Sequence, residues 1–158
     1  MVQHCFRFQP RLCKTLGEER VRAVVHDGIR RAADFGFTNR GPARLYLEMM
    51  LLFGSGYATD PQYPWAAEIL TRGGAEDQMQ RAEALYKKTL VYQERVSGPD
   101  NAYTLSALAQ LPLLARNPLS FSSDDFVPGM LREMGDIFPQ KVEFVGHEAI
   151  EKLINEAI

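Results

Sequence analysis

A run of nine mostly apolar residues, Leu45 to Phe53 (LYLEMMLLF), constrains this chain more than any other segment. It stops at Gly54 and passes into a loop stiffened by Pro61 and Pro64. Gly41-Pro42 opens the run as a helix, because proline at the first helical position gives up an N–H that has no partner there anyway. Leu45, Met49, Leu52 and Phe53 share its main apolar face, and Tyr46, Met50 and Leu51 widen it. Only Arg44 and Glu48 read as clearly wet. Such a helix needs cover on nearly every side, so the pattern predicts it at the centre of a helical core.

The rest of the chain supplies that cover. Thr15 and Glu18 of T-L-G-E have the spacing of a capping box, and Val21, Val24, Val25, Gly28 and Ala32 then follow on one face of a helix over 17–35. A short helix begins at Pro64 or Trp65 and runs to Thr71-Arg72, where Gly73-Gly74 can terminate it. The longest periodic segment is 75–96, with Met79, Ala82, Leu85, Tyr86, Leu90 and Tyr92 or Gln93 on its expected core stripe. Ser97-Gly98-Pro99 stops it, and Asp100 then caps a helix through Leu111 or Ala115 in which Pro112 forces a kink or an end. Ser123-Asp-Asp-Phe opens a helix to about Gly135, Phe138-Pro139 breaks it, and 145–158 is amphipathic again. VEFV at 142–145 is the single strand candidate, too short to found a sheet. Residues 1–14 lack periodicity and contain Pro10, so they read as an irregular arm with Phe6 and Phe8 packed on the body. A shift of 129 residues lays Pro10, Gly17, Glu19 and Ile29 on Pro139, Gly146, Glu148 and Ile158, with Val21, Val24 and Val25 on Ile150, Leu153 and Ile154. The expectation is an all-α single domain over 1–158, a bundle of six or seven helices with an irregular N-terminal arm.

Charge separates along the chain more than its net of −2 implies. Residues 1–44 hold nine Lys or Arg against four acids, a net of +5, and the remainder nets −7. An overall balance this close to neutral argues against a general nucleic-acid or anionic-membrane binder. Arg20, Arg22, Arg30 and Arg31 are the dense basic group, and no Trp or Tyr lies among them. Two cysteines, Cys5 and Cys13, suit neither a disulfide scaffold nor a zinc site, which points to a reducing cytoplasm. No run is long and apolar enough for a signal peptide or for membrane insertion.

Chemistry-bearing patterns are sparse. His4, His26 and His147 lie in different elements without ligand spacing, so no metal is expected, and no cofactor motif occurs. Cys13 would act as a nucleophile only with His26 or His147 beside it. Asp124-Asp125 and Glu76-Asp77 stand at helix starts, where the backbone dipole accounts for acids. No catalytic residue is assigned. The loop Tyr57 to Trp65 carries two tyrosines and the only tryptophan. Either Trp65 and one tyrosine anchor the loop to the core while Asp60-Pro61 shapes its turn, or Tyr57, Asp60, Tyr63 and Trp65 face outward as rigid contacts for a protein partner.

The segment RAADFGF ending at Phe37, the Leu- and Met-rich helix ending in Phe53-Gly54, the run Asp60-Pro-Gln-Tyr-Pro-Trp65 and the tail from Phe138-Pro-Gln-Lys141 through Val145-Gly146 together resemble small helical proteins of bacterial type VI secretion effector clusters. The resemblance covers 17–70 and 138–158. It implies a non-enzymatic, cytoplasmic accessory role with a protein partner, an effector toxin or its chaperone. A co-chaperone or adaptor is the first reading, and an immunity protein whose acidic surface after residue 44 blocks a basic toxin is the second. A small helical enzyme is the alternative from another class.

Overall fold

The structure is a computed structural model that describes residues 1–72 and 77–157. Among the described residues it holds ten α-helices and no strand: α1 (Val2–Phe8), α2 (Pro10–Leu16), α3 (Glu18–Asp34), α4 (Arg40–Phe53), α5 (Pro64–Thr71), α6 (Gln78–Tyr92), α7 (Ala102–Arg116), α8 (Phe126–Ile137), α9 (Pro139–Val145) and α10 (His147–Glu156). The all-helical class is as expected, but the count exceeds six or seven. None of the described helices is long and apolar enough to cross a membrane. The Gly73-Gly74 stop and Glu76 lie outside the described residues.

Two of the extra helices occupy the expected arm. Pro10 does not interrupt a helix there. It starts one, as the first residue of α2, while Gln9 at φ −130° and ψ 71° makes the corner from α1. Cys5 and Cys13 are the fully buried residues of this pair, and Phe6 and Phe8 are half-buried. The capping box at Thr15 does not form. Thr15 lies inside α2, where its hydroxyl donates to the Arg11 carbonyl at 3.1 Å, and the chain turns into α3 at Gly17. Glu18 pairs forward with Arg22 at 2.6 Å. The strand candidate at 142–145 is helical, within α9, with Val142 and Val145 buried.

The chain divides into two compact units, Met1–Asp60 with Trp65–Tyr86 and Pro61–Pro64 with Lys87–Ile158. In the first, α3 lies against α4 closely enough that a Cβ at Gly28 would sit 2.8 Å from Leu47 Cδ1. Tyr46, Leu47, Met49 and Met50 of α4 are buried. Glu48, expected to be wet, is instead 2.6 Å from His4 Nε2 of α1 and 3.5 Å from Arg44 Nε. The start of α4 has no side-chain cap of its own. Gln78 of α6 provides one from a distance, its Oε1 accepting from the backbone N–H of Thr38 at 2.9 Å and of Asn39 at 2.8 Å.

The core stripe of α6 is rotated from the expected one. Arg81, Ala82, Leu85, Thr89 and Tyr92 are buried, whereas Met79, Tyr86 and Leu90 are exposed. Two polar residues occupy core positions, which a hydrophobicity pattern cannot anticipate. Arg81 is accommodated because Nη1 donates to the Leu70 carbonyl at 2.9 Å and its guanidinium lies 5.0 Å from the Phe37 ring centroid. After Tyr92 the helix widens into a π-helical turn, Gln93–Ser97, and Asp100 and Asn101 then take positive φ of 50° and 62°.

In the second unit, Val142, Val145, Ile150 and Ile154 form a core closed by Phe126, Val127, Met130, Leu131, Met134, Phe144 and Ala149. The Ser123 signal is displaced by one residue: Ser122 caps, accepting from the Asp125 N–H at 3.3 Å. The corner α8–α9–α10 repeats the local geometry of α1–α2–α3. Gln9 and Phe138 share one bend, at φ −130°, ψ 71° and φ −140°, ψ 65°. Seven-residue helices then begin with Pro10 and Pro139, and each ends at a glycine of left-handed φ, Gly17 (81°) and Gly146 (93°). The hydrogen bonds correspond as well: Gly17 N–H to Cys13 O at 3.0 Å matches Gly146 N–H to Val142 O at 2.9 Å, and Val21 to Gly17 at 3.1 Å matches Ile150 to Gly146 at 3.2 Å.

Candidate protein-binding site

The four loop residues expected as contacts are placed differently from one another. Tyr57 is fully buried, its ring centroid 5.2 Å from that of Tyr46, and its hydroxyl has no hydrogen-bond partner. Burial, with the neighbouring Tyr46, pushes the Tyr57 phenol pKa well above the usual tyrosine value. Trp65, 6% exposed, meets Phe53 edge-on at 6.0 Å. These two take the anchoring role and present no outward surface, because two large rings so close to α4 gain more from burial than from exposure. Asp60 is half-buried.

Tyr63, also half-buried, belongs to the second unit. Its ring is edge-on to Tyr92 at 5.6 Å, and the Lys141 ammonium sits 4.4 Å from its centroid. Lys141 is buried, 2.5 Å from the Tyr92 hydroxyl. The lysine head group in this place meets the Tyr92 hydroxyl and the face of the Tyr63 ring, so Tyr63 closes over it.

Among the described residues the densest group of exposed large apolar side chains lies elsewhere, on α7. From Ala102 to Ala115 this helix has no charged residue, and Ala107 is its one buried side chain. Leu105, Leu108, Leu111 and Leu113 are 59%, 53%, 52% and 54% exposed, and Tyr103 is 39% exposed. At 3.6 residues per turn, Leu105, Leu108, Leu111, Pro112 and Ala115 fall within an arc of roughly 120°, with Leu113 and Tyr103 on the other flank. Pro112 neither ends the helix nor falls outside it. The helix runs to Arg116, and the missing proline N–H leaves the Leu108 carbonyl without its i+4 donor. Sequence reading missed this surface, since an apolar helix reads as a buried one. The absence of any charge to mark a solvent face suits a buried helix and a partner-covered one alike.

Beside the start of α7 is a cleft of about 720 Å³ lined by Lys88, Glu94, Arg95, Pro99, Tyr103, Gln140, Glu143 and Phe144. Lys88 lies over the Phe144 ring at 5.1 Å. Two cations and two carboxylates share an open cavity whose described lining holds no histidine or cysteine, so it offers salt-bridge partners to a bound chain. The Cys13 thiol is sealed in the first unit, where burial raises its pKa, while His26 and His147 are exposed on their helices. Among the described residues no group of three or more His, Cys, Asp or Glu side chains is placed to hold a metal ion.

No protein-family model, no curated protein and no solved structure matches this chain.

Proposed function

We propose that the protein is a non-enzymatic binding factor, a co-chaperone or adaptor that holds a secreted toxic effector, or the chaperone of one, of the type VI secretion kind. The observation that carries the binding role is the exposed apolar surface of α7. Large apolar side chains grouped on one exposed helix mark a contact surface more often than a solvated one. Burying the exposed halves of Leu105, Leu108, Leu111 and Leu113 is worth roughly 3–6 kcal/mol before the cost of association, a substantial part of the ~8 kcal/mol of micromolar binding. The effector setting is supported by the resemblance of residues 17–70 and 138–158 to accessory proteins of those clusters.

The test is a pull-down of the products of neighbouring genes with the purified chain, repeated with Leu113→Asp. Specific capture that Leu113→Asp weakens supports the reading, and capture of none of them removes it. Co-expression then separates two roles: a neighbour made soluble without cells being protected from it indicates a chaperone, and protection indicates immunity.

A further inference from the structure

We propose that α7 pairs antiparallel with α7 of a second copy of this chain, with Leu108 on the two-fold axis. This names the occupant of one face of α7 and rests on the reading above only in taking α7 as a contact helix. The spacing of the stripe is self-complementary. Leu105 and Leu111 stand three residues to either side of Leu108, so an antiparallel partner centred there sets Leu105 against Leu111 and Leu108 against itself. No charge between Ala102 and Ala115 opposes that approach. The nearest charged residues on either side, Asp100 and Arg116, are both exposed and stand eight residues before and eight after Leu108. Asp100 precedes the first turn of α7 and Arg116 is its last residue, so the same pairing brings the acidic end of each helix beside the basic end of the other, opposite charges at both ends of an apolar centre. A parallel pair would instead set like against like at each end.

The area decides the strength. Leu105, Leu108 and Leu111, about half exposed, with Pro112 and Ala115 offer on the order of 300 Å² of apolar surface per copy, against about 800 Å² per partner in a standard stable interface. The dimer is accordingly weak and reversible. Leu113 and Tyr103 remain on the other flank for a different protein.

Sedimentation of the purified chain from about 1 to several hundred micromolar reads this directly, and a concentration-dependent monomer–dimer equilibrium is expected. Leu108→Asp sets two carboxylates face to face on the axis and should weaken the dimer by about 100-fold, with helical circular dichroism unchanged because the residue is exposed. Leu108→Cys, oxidised with glutathione disulfide, should form a covalent dimer. Leu105→Cys alone should not, since antiparallel packing sets its two copies about 9 Å apart along the axis, whereas it should cross-link when mixed with Leu111→Cys. Cys5 and Cys13 are fully buried and stay out of the reaction. A monomer at every concentration overturns the proposal, as does self-linking of Leu105→Cys equal to that of Leu108→Cys. A monomer that still captures a neighbouring gene product refutes the self-pairing and leaves the binding role, and a dimer that captures nothing does the reverse.

Discussion

Removing the Tyr57 hydroxyl should make the protein more stable. The oxygen is buried against Tyr46 and has no hydrogen-bond partner, so folding strips it of water and gives nothing back. An unsatisfied buried hydroxyl costs about 1–3 kcal/mol. Tyr57→Phe deletes that cost and leaves a gap of roughly 15 Å³, worth about 0.4 kcal/mol at ~24 cal/mol per Å³. The desolvation effect is the larger, and the expected gain is about 1–2 kcal/mol, or a melting temperature higher by about 2–8 °C for a chain of this size.

The pH dependence supplies an independent check on the same atom. The folded-state phenol pKa is raised above that of the unfolded chain, so the stability is intact below pH ~10 and is lost as pH rises above it. There the unfolded state gives up a proton that the native state keeps, and stability falls by about 1.4 kcal/mol per pH unit. Tyr57→Phe lacks this term, so its advantage in urea unfolding should widen by about 1.4 kcal/mol between pH 7 and pH 11. A variant no more stable than the parent at pH 7 would show that the hydroxyl is satisfied. A constant gap would show that it titrates freely in the native protein.

Tyr63→Ala removes a ring that meets Tyr92 and covers Lys141, and should cost about 1–3 kcal/mol in chemical denaturation; unchanged stability would mean that the ring is held out for a partner. Gly17→Ala and Gly146→Ala place a side chain at φ 81° and 93° with open space around it, so each should lower stability by about 1–3 kcal/mol through backbone strain alone. Gly41→Ala, also unobstructed but without positive φ, is the control, and thermal melts in which all three behave alike would refute the strain. Burial raises the pKa of both Cys5 and Cys13, so a thiol reagent at pH 8 should react with the native protein only as fast as it unfolds, and prompt labelling would contradict their burial.

Where the fold was legible, one physical signal dominated. Helices α3, α4, α5 and α10 lie close to their expected bounds because their apolar residues recur at helical spacing and a glycine or proline marks at least one end of each. The same reasoning failed wherever one residue type served two purposes. Pro10 reads as a breaker, yet as the first residue of α2 it is a starter, and the choice depends on the bend at Gln9, which the residue names do not carry. Arg81 and Thr89 sit in core positions of α6, and with them the buried stripe turns away from Met79, Tyr86 and Leu90. The site suffered the same ambiguity: the outward or inward choice for Tyr57 and Trp65 depends on contacts with Tyr46 and Phe53, and these are tertiary.

The corner shared by α1–α3 and α8–α10 shows why some distant similarities are nonetheless readable. The aligned sites are those where backbone geometry restricts the side chain: a proline that must begin a helix, and a glycine at φ near 90° and ψ near 150° that almost no other residue tolerates. At the buried positions the two copies match only in polarity, Cys13 opposite Val142, Val21 opposite Ile150 and Val25 opposite Ile154. Burial favours an apolar side chain and leaves its shape open, whereas φ near 90° with ψ near 150° favours glycine almost exclusively. Two punctuation marks seven residues apart, Pro10 with Gly17 and Pro139 with Gly146, therefore carry the recognisable pattern while the core residues in and after that interval diverge. By the same logic the leucines of α7 could not announce their exposure: an apolar helix is compatible with a core or with a partner, and only its missing cover tells which.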